Sequence, residues 1–234
     1  MTEPEELTIY INEVDSVSAR LYLAARSRRA GVTFILAHGA GADQLSGFMQ
    51  LYAGGLSERG LDVLTFNFLY KEHRKNAPDP KAKLELCYRR VIEATLAHRK
   101  LKNNRLVLGG KSMGGRIASQ VAAELAEAGD PLAKKIDGLV FLGYPLHPPG
   151  NPAKLRTEHL KNVASRMLFV QGTRDSLGTP DEIRPFIKQL DAKIHVIEGG
   201  DHSFKAPKKF GFTQEQIHDG AMDEIVRWSQ SSEA

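Results

Sequence analysis

Apolar and polar positions follow two different patterns along the chain, one near its beginning and one in the rest. Residues 7–12 and 17–25 alternate apolar with polar side chains, and a short acidic turn joins them at 13–16. From residue 32 onward the apolar runs become continuous, as in VTFILA at 32–37 and DVLTFNF at 62–68. Alternation is typical of a half-buried strand, whereas a continuous run is typical of a strand covered on both faces. The patterns predict an antiparallel N-terminal hairpin at the margin of a buried sheet.

Segments with helical periodicity separate the continuous apolar runs. Strand and helix alternate about five times, which predicts a mostly parallel central sheet with helices on both faces. Start signals accompany the helices; Asp79, for example, is expected to cap the second helix, with Pro80 at its first position. Further strands are predicted at 105–109, 138–144, 167–171 and 193–197. Helices are predicted at about 45–59, 80–100, 113–128, 179–190 and 214–229.

Length and composition limit the possible classes of protein. A chain of 234 residues with 41% hydrophobic content can bury one substantial core, so we expect a single domain over residues 1–234. The one cysteine, Cys87, cannot form an internal disulfide, and its apolar helical surroundings predict a small core residue. The acidic N-terminus has no signal-peptide core, and no apolar run approaches the roughly 18 residues of a membrane span. We therefore expect a cytoplasmic protein without a membrane partner.

Charge adds little to this description. The formal net charge is +4, and the short basic clusters at 26–29, 71–75 and 205–209 lack interleaved aromatic residues. Such clusters are typical of a solvated face, so no nucleic-acid partner is expected. No set of His, Cys and acidic residues has the spacing of metal ligands, so neither a metal nor another cofactor is expected. The sequence leaves the oligomeric state open.

The segment RLVLGGKSMGG at 105–115 leads from a predicted strand through a Gly-rich turn into a helix. Gly110, Ser112 and Gly114 form the G-x-S-x-G pattern of a nucleophile elbow, where a Cβ on either glycine would collide with neighbouring backbone. The structural alternative is a Gly-rich connection with a capping serine. The letters GKS also occur in phosphate-binding loops, but the glycine that this motif requires is replaced by Arg105.

A serine hydroxyl needs a nearby base, and the base needs a third group that fixes its tautomer. Ser112, Asp175 and His202 each follow the carboxyl end of a predicted strand, where ligands bind in such sheets. Their order along the chain, serine then acid then histidine, is that of the α/β hydrolases. Alternatives remain for the acid, Asp181 and Asp201, and for the base, His38, His195 and His218.

These motifs together resemble those of a small serine α/β hydrolase over about residues 7–228. FILAHGAGA is similar to the oxyanion loop, GGKSMGG to the elbow, QGTRD to the acid turn and GGDHSF to the histidine loop. The chain resembles the compact, lidless hydrolases described as testis-expressed or NSL-complex-like, akin to dienelactone hydrolases but with serine where those use cysteine. The resemblance implies an α/β-hydrolase fold. No large cap domain is expected, because the connection at 145–163 is too short for one.

The resemblance also implies roles for individual residues. Ser112 would be the nucleophile, His202 the general acid and base, and Asp175 the carboxylate that orients the histidine. The oxyanion hole would use the backbone N–H of Met113 and one from Ala40 or Gly41.

The remaining candidates concern the substrate pocket. Segments 67–79 and 145–163 are expected to line a shallow or open pocket, and Lys111 to be exposed or in a salt bridge. The implied reaction is cleavage of a small carboxylic ester or thioester through an acyl-enzyme. Acyl transfer to an acceptor other than water, or a binding or scaffold role on the same fold, are the alternatives. Residues that could line the pocket are His38, Tyr70, Lys111 and His147.

Overall fold

The computed structural model describes residues 3–231, which form one sheet of eight strands. The strands are β1 (Glu5–Tyr10), β2 (Ser16–Tyr22), β3 (Val32–Ala37), β4 (Asp62–Phe66), β5 (Arg105–Lys111), β6 (Ile136–Leu142), β7 (Arg166–Gly172) and β8 (Ala192–Ile197). Their spatial order is β1-β2-β4-β3-β5-β6-β7-β8. β2 is antiparallel to both of its neighbours, and every other pair is parallel. The predicted parallel sheet with an antiparallel N-terminal hairpin is confirmed, whereas the extent of the domain stays a prediction.

Helices cover both faces of the sheet. They are α1 (Gly47–Glu58), α2 (Leu69–Glu72), α3 (Lys81–Ala97), α4 (Met113–Glu127), α5 (Pro180–Ile187) and α6 (Gln214–Gln230). Buried residues of α3, α4 and α5 share one apolar cluster, and those of α1 and α6 share the other. Strand β3 contributes alternate side chains to the two clusters, with Ile35 in the first and Phe34 in the second, as the period of a strand requires. Cys87 is fully buried in the first cluster, as predicted.

The helix boundaries differ from the prediction by up to three residues, and two of the differences have a local cause. Helix α3 begins at Lys81 with Pro80 at its N-cap, because Pro80 has an extended ψ of 150° and lies outside the helix. Helix α5 begins as expected with a capping box between Thr179 and Glu182, but it ends at Ile187, shortly after the internal Pro185. Segment 67–79, for which no helix was predicted, contains the single turn α2.

The connection between β6 and β7 contains only the 3₁₀ turn Leu160–Asn162, so the structure has no cap domain over the sheet within residues 3–231. The connection folds back on itself: the Tyr144 hydroxyl donates to the Arg156 carbonyl at 2.7 Å, and the Arg156 N–H donates to the Leu146 carbonyl at 2.9 Å. In the described part of the chain, no helix has the length and apolar character that a membrane crossing requires.

A buried tyrosine hydroxyl joins the two central strands below the end of β5. Tyr88 of α3 is fully buried, and its oxygen accepts the N–H of Gly109 at 2.9 Å. The same oxygen lies 2.9 Å from the Gly109 carbonyl and 3.1 Å from the Ile35 carbonyl, either of which accepts its proton. The hydroxyl therefore satisfies backbone groups of β3 and β5 that have no water nearby.

We predict that Tyr88→Phe lowers the free energy of unfolding by about 1–3 kcal/mol, because the Gly109 N–H then stays buried without an acceptor. Urea denaturation measures this change. Tyr10→Phe is the matched control, since the Tyr10 side chain is 74% exposed and its hydroxyl loses nothing that water cannot replace. Equal stability of the two variants would contradict the assigned role of the Tyr88 hydroxyl.

Candidate active site

Ser112 lies at the sharp turn between β5 and α4. It is the N-cap residue of α4, with φ 51° and ψ −113°, a backbone conformation that residues other than glycine rarely adopt. Such backbone geometry costs about 1–3 kcal/mol and persists only where the surroundings impose it. Here the Ser112 N–H donates to the Leu142 carbonyl of β6 at 3.1 Å, and its carbonyl accepts the Arg116 N–H at 3.1 Å.

Two glycines allow this turn. A Cβ built on Gly110 or on Gly114 would contact the carbonyl oxygen of Ala37 at the end of β3, closer than real Cβ atoms approach backbone. The start of α4 therefore lies directly against β3, with no room for a side chain between them. This packing agrees with the reason for glycine in the G-x-S-x-G motif.

Ser112, His202 and Asp175 form one chain of hydrogen bonds. His202 Nε2 lies 2.8 Å from Ser112 Oγ, and His202 Nδ1 lies 2.7 Å from Asp175 Oδ2. The Asp175 side chain is fully buried, whereas 26% of the His202 side chain is exposed. With the Nδ1 proton donated to the carboxylate, Nε2 is left to accept the proton of the serine hydroxyl. This geometry is suited to general-base activation of Ser112.

Gln171 holds the carboxylate and was missed in the sequence. Its Nε2 donates to Asp175 Oδ2 at 2.8 Å, while its Oε1 accepts the Tyr144 N–H at 2.8 Å. The Leu177 N–H donates to the other carboxylate oxygen, Oδ1, at 2.9 Å. Gln171 is fully buried at the end of the apolar run MLFVQ, and an amide in such a run was the available signal. Buried amides need partners, so the pair fixes the orientation of both side chains.

The alternative acids lie elsewhere. Asp201 Oδ1 accepts the N–H groups of Ser203 and Lys205 at 2.7 and 2.9 Å, which stabilises the turn that carries His202. The Asp181 side chain is 95% exposed on α5. Neither carboxylate is hydrogen-bonded to a histidine in the described residues.

The alternative histidines are also placed away from Ser112. His195 lies within β8. His218 lies on α6, where Nδ1 is 3.1 Å from the Tyr52 hydroxyl and Nε2 is 3.0 Å from Gln214 Nε2. Since the Gln214 amide donates to Nε2, the Nδ1 proton of His218 points to Tyr52. Burial lowers the pKa of His218, in keeping with a neutral ring.

His38, a pocket candidate in the sequence, directly follows β3 and holds the loop that begins there. It is fully buried, with Nδ1 2.8 Å from the Gly39 carbonyl and Nε2 accepting the Phe68 N–H at 3.1 Å. Burial lowers the pKa of His38 to about 4, against the opposing effect of the Gly39 carbonyl. A neutral ring, protonated on Nδ1, thus joins the loop after β3 to the start of α2.

Tyr70, another pocket candidate, likewise supports this loop. It is fully buried, and its hydroxyl donates to the Ala40 carbonyl at 2.8 Å. A Cβ on Gly39 would lie 3.7 Å from Ser112 Cβ, so the loop runs beside the serine. Because a trans peptide directs N–H opposite to C=O, the N–H of Gly41 points away from Tyr70.

Three backbone donors stand near Ser112 without a partner. Among the described residues, no hydrogen bond uses the N–H of Met113, Ala40 or Gly41. The Met113 N–H also lies at the N-terminus of α4, where the helix dipole favours negative charge. The geometry leaves both loop donors, Ala40 and Gly41, as candidates.

Lys111, next to the serine, is neither exposed nor in a salt bridge with a carboxylate. Its Nζ donates to the carbonyl oxygen of His202 and lies over the rings of Phe48 and Phe204, 5.6 and 5.3 Å from their centroids. Burial lowers the pKa of Lys111 to about 8, against the opposing charges of Asp175 and Asp201. This contact was not visible in the sequence, because it depends on where the loop after β8 lies.

His147, the last pocket candidate, is 6% exposed. Its Nδ1 lies 3.1 Å from the Pro148 carbonyl, and its Nε2 lies 3.6 Å from Glu182 of α5. These contacts tie the connection after β6 to α5.

A cavity of about 410 Å³ lies beside the elbow and the loop after β3. Phe48, Met49 and Leu51 are apolar residues of its lining, which also includes Ser46 and Lys111. A larger cavity of about 650 Å³ lies at the amino ends of β5, β6 and β7, at the edge of the sheet opposite to Ser112. Within the described residues, no group of three or more His, Cys, Asp or Glu side chains could hold a metal ion.

Comparison with known proteins agrees with this fold. The family model described as "Alpha/beta hydrolase domain" matches residues 30–230. Among solved structures, a serine hydrolase without a lid from Xanthomonas campestris is 19% identical, with a TM-score of 0.71 over 99% of this chain and 98% of that chain. A dienelactone hydrolase from Anabaena variabilis is 19% identical, with a TM-score of 0.72 over 97% of each chain. A serine hydrolase homologue from Coxiella burnetii is 19% identical, with a TM-score of 0.68 over 100% and 99%.

We predict that His38 makes stability depend on pH between about 6.5 and 4. As pH falls through 6.5 the unfolded chain takes up a proton on this ring, whereas the folded ring stays neutral until about 4, so stability falls. The loss over this window reaches about 3 kcal/mol. Urea titrations at several pH values, on the native chain and on His38→Gln, measure it as a shallower pH dependence in the variant. Parallel curves for the two proteins would contradict this role of His38.

Proposed function

The chain belongs to the alpha/beta hydrolase domain family, and on this basis we propose that it is a serine hydrolase which cleaves a small carboxylic ester or thioester. The observation that carries the proposal is the chain of hydrogen bonds from Ser112 through His202 to the buried Asp175. A serine hydroxyl bonded to an oriented imidazole is the arrangement that acyl transfer needs.

In the first half-reaction, Ser112 Oγ attacks the acyl carbonyl carbon while His202 Nε2 takes its proton. The carbonyl oxygen becomes an oxyanion, which the N–H of Met113 and that of Ala40 or Gly41 stabilise. His202 then donates the proton to the leaving alcohol or thiol, and the bond from carbon to the leaving group breaks. Asp175 stays ionised throughout and stabilises the imidazolium.

In the second half-reaction, water attacks the acyl-enzyme. His202 Nε2 takes a proton from the water, and the tetrahedral intermediate forms again at the same oxyanion donors. When the intermediate collapses, the Ser112 oxygen leaves and recovers its proton from His202, which releases the carboxylic acid. The His202 side chain is partly exposed, so water can reach Nε2. This exposure favours water as the acceptor of the acyl group over another acceptor, which would have to keep water out.

The substrate is proposed to be small. The cavity of about 410 Å³ beside Ser112 has an apolar surface that suits a short acyl or leaving group. The connection after β6 adds no helical cover that would enclose a long chain.

We predict that a fluorophosphonate probe labels Ser112, with labelling lost in Ser112→Ala. Ser119→Ala is the matched control: Ser119 Oγ also lies 2.7 Å from a histidine nitrogen, His159 Nε2, but Ser119 is fully buried. That variant keeps the label. His202→Ala is expected to lower turnover of a p-nitrophenyl ester by about 10³-fold or more. A folded protein that stays unlabelled at high probe concentration would favour a binding or scaffold role instead.

A second prediction concerns chain length. Acetyl and butyryl p-nitrophenyl esters are expected to have higher kcat/KM than decanoyl and longer esters, because no helical cover supplies an apolar wall for a longer chain. Leu51→Ala enlarges the cavity and moves the optimum towards longer chains. Leu86→Ala removes a similarly exposed leucine from α3, away from the cavity, and leaves the optimum unchanged. A native preference for long chains would contradict the proposed size limit.

A further inference from the structure

Lys111 connects the elbow to the loop that carries His202. It is the last residue of β5, directly before Ser112, and its Nζ donates to the His202 carbonyl oxygen. The ammonium thus reaches from the strand that positions the nucleophile to the backbone of the histidine. Neither of the two half-reactions proposed for Ser112, His202 and Asp175 uses it.

The loop on the other side of this contact is strained. Phe204 has φ 63°, a left-handed conformation that is rare for an aromatic residue, and its side chain is fully buried. Gln214 of α6 donates to the Phe204 carbonyl at 2.8 Å. The Lys111 ammonium lies between the rings of Phe204 and Phe48, which adds cation–π attraction to the hydrogen bond. Lys111 therefore joins the loop to β5 at the point where the loop is strained.

The ammonium is also close to the imidazole ring. A Cβ built on Gly143 would lie 2.8 Å from Lys111 Nζ and 3.3 Å from His202 Nδ1. The ammonium and the imidazole therefore both border the space beside Gly143. Gly143 has no side chain there and has φ 69°. Because Gly143 has no side chain, residue 143 places no side-chain atom between the Lys111 ammonium and the His202 ring.

Other charged groups surround the ammonium. Asp175, after β7, and Asp201, in the turn after β8, both act on it and favour its charged form. Lys205, in the loop after β8, and His218 of α6 both line the cavity of about 410 Å³ beside the elbow. Helix α1 contributes only uncharged residues to the lining of that cavity. With a pKa of about 8, Lys111 carries its charge at neutral pH.

We propose that Lys111 is a positioning residue for His202: its ammonium anchors the carbonyl of His202 and thereby keeps the imidazole between Asp175 and Ser112. Without this donor the loop that carries the histidine loses its attachment to β5, and the ring loses its fixed position. The inference rests on the proposed function of Ser112, His202 and Asp175 for its catalytic meaning. The anchoring of the loop does not depend on turnover.

The test is the NMR signal of the proton that His202 Nδ1 donates to Asp175, in the native chain and in three variants. In Lys111→Met this signal is expected to broaden or disappear, because the ring loses its fixed position. In Lys111→Arg, which keeps a donor for the His202 carbonyl, it is expected to stay. Arg174→Met is the matched control: Arg174 is an exposed cation next to Asp175 whose guanidinium contacts the Gly199 carbonyl and not His202, so its removal leaves the signal in place.

Kinetics give the second readout. In Lys111→Met the kcat for a p-nitrophenyl ester is expected to fall by about tenfold or more while KM stays near the native value, and Lys111→Arg restores kcat. If Lys111→Met does not fold, Lys111→Leu replaces it, since it also lacks the donor. A folded variant without the donor that keeps the native His202 signal overturns the inference, whether or not fluorophosphonate labels Ser112. Absence of labelling together with a changed His202 signal overturns the proposed function alone.

Discussion

The contact between the start of α4 and the carbonyl oxygen of Ala37 controls the geometry of the whole site. Only glycine at positions 110 and 114 lets the helix come so close to β3. This proximity forces Ser112 into its left-handed conformation, with the Met113 N–H at the helix N-terminus beside it. A larger residue at either glycine would move α4 away from β3, and Ser112 and the Met113 N–H would then move away from the loop after β3.

The hydrogen bonds of the site come from three different strand ends. Ser112 follows β5, Asp175 follows β7 and His202 follows β8, and the parallel register brings these ends to one edge of the sheet. Two of these residues are held by further side chains: Gln171 donates to the Asp175 carboxylate, and Lys111 donates to the backbone carbonyl of His202. The site therefore depends on buried side chains that themselves contact no substrate.

Continuous apolar runs and glycine patterns are local features, which explains why the parallel sheet and the elbow were predictable. β3 was predicted at its observed boundaries, because a run of six apolar or β-forming residues is typical of a strand buried on both faces. The order of Ser112, Asp175 and His202 was equally readable along the chain.

Contacts between distant segments were not predictable. Tyr70 and His38 were expected near the substrate, yet both are buried behind the loop after β3, where they hold its carbonyl groups. The position of Lys111 depends on the loop after β8, about ninety residues further along the chain. In each case the residue type indicated polarity near the site, but only the three-dimensional arrangement determines which atom receives the hydrogen bond.

The short connection between β6 and β7 has a consequence for the timing of turnover. Lidded hydrolases spend part of each cycle opening and closing, and their selectivity can arise from that closure by induced fit. Within residues 3–231 the connection between β6 and β7 holds no helical lid, so the cycle proposed for Ser112 contains no lid movement. For that proposed reaction, selectivity is expected to arise from the shape of the cavity beside the elbow.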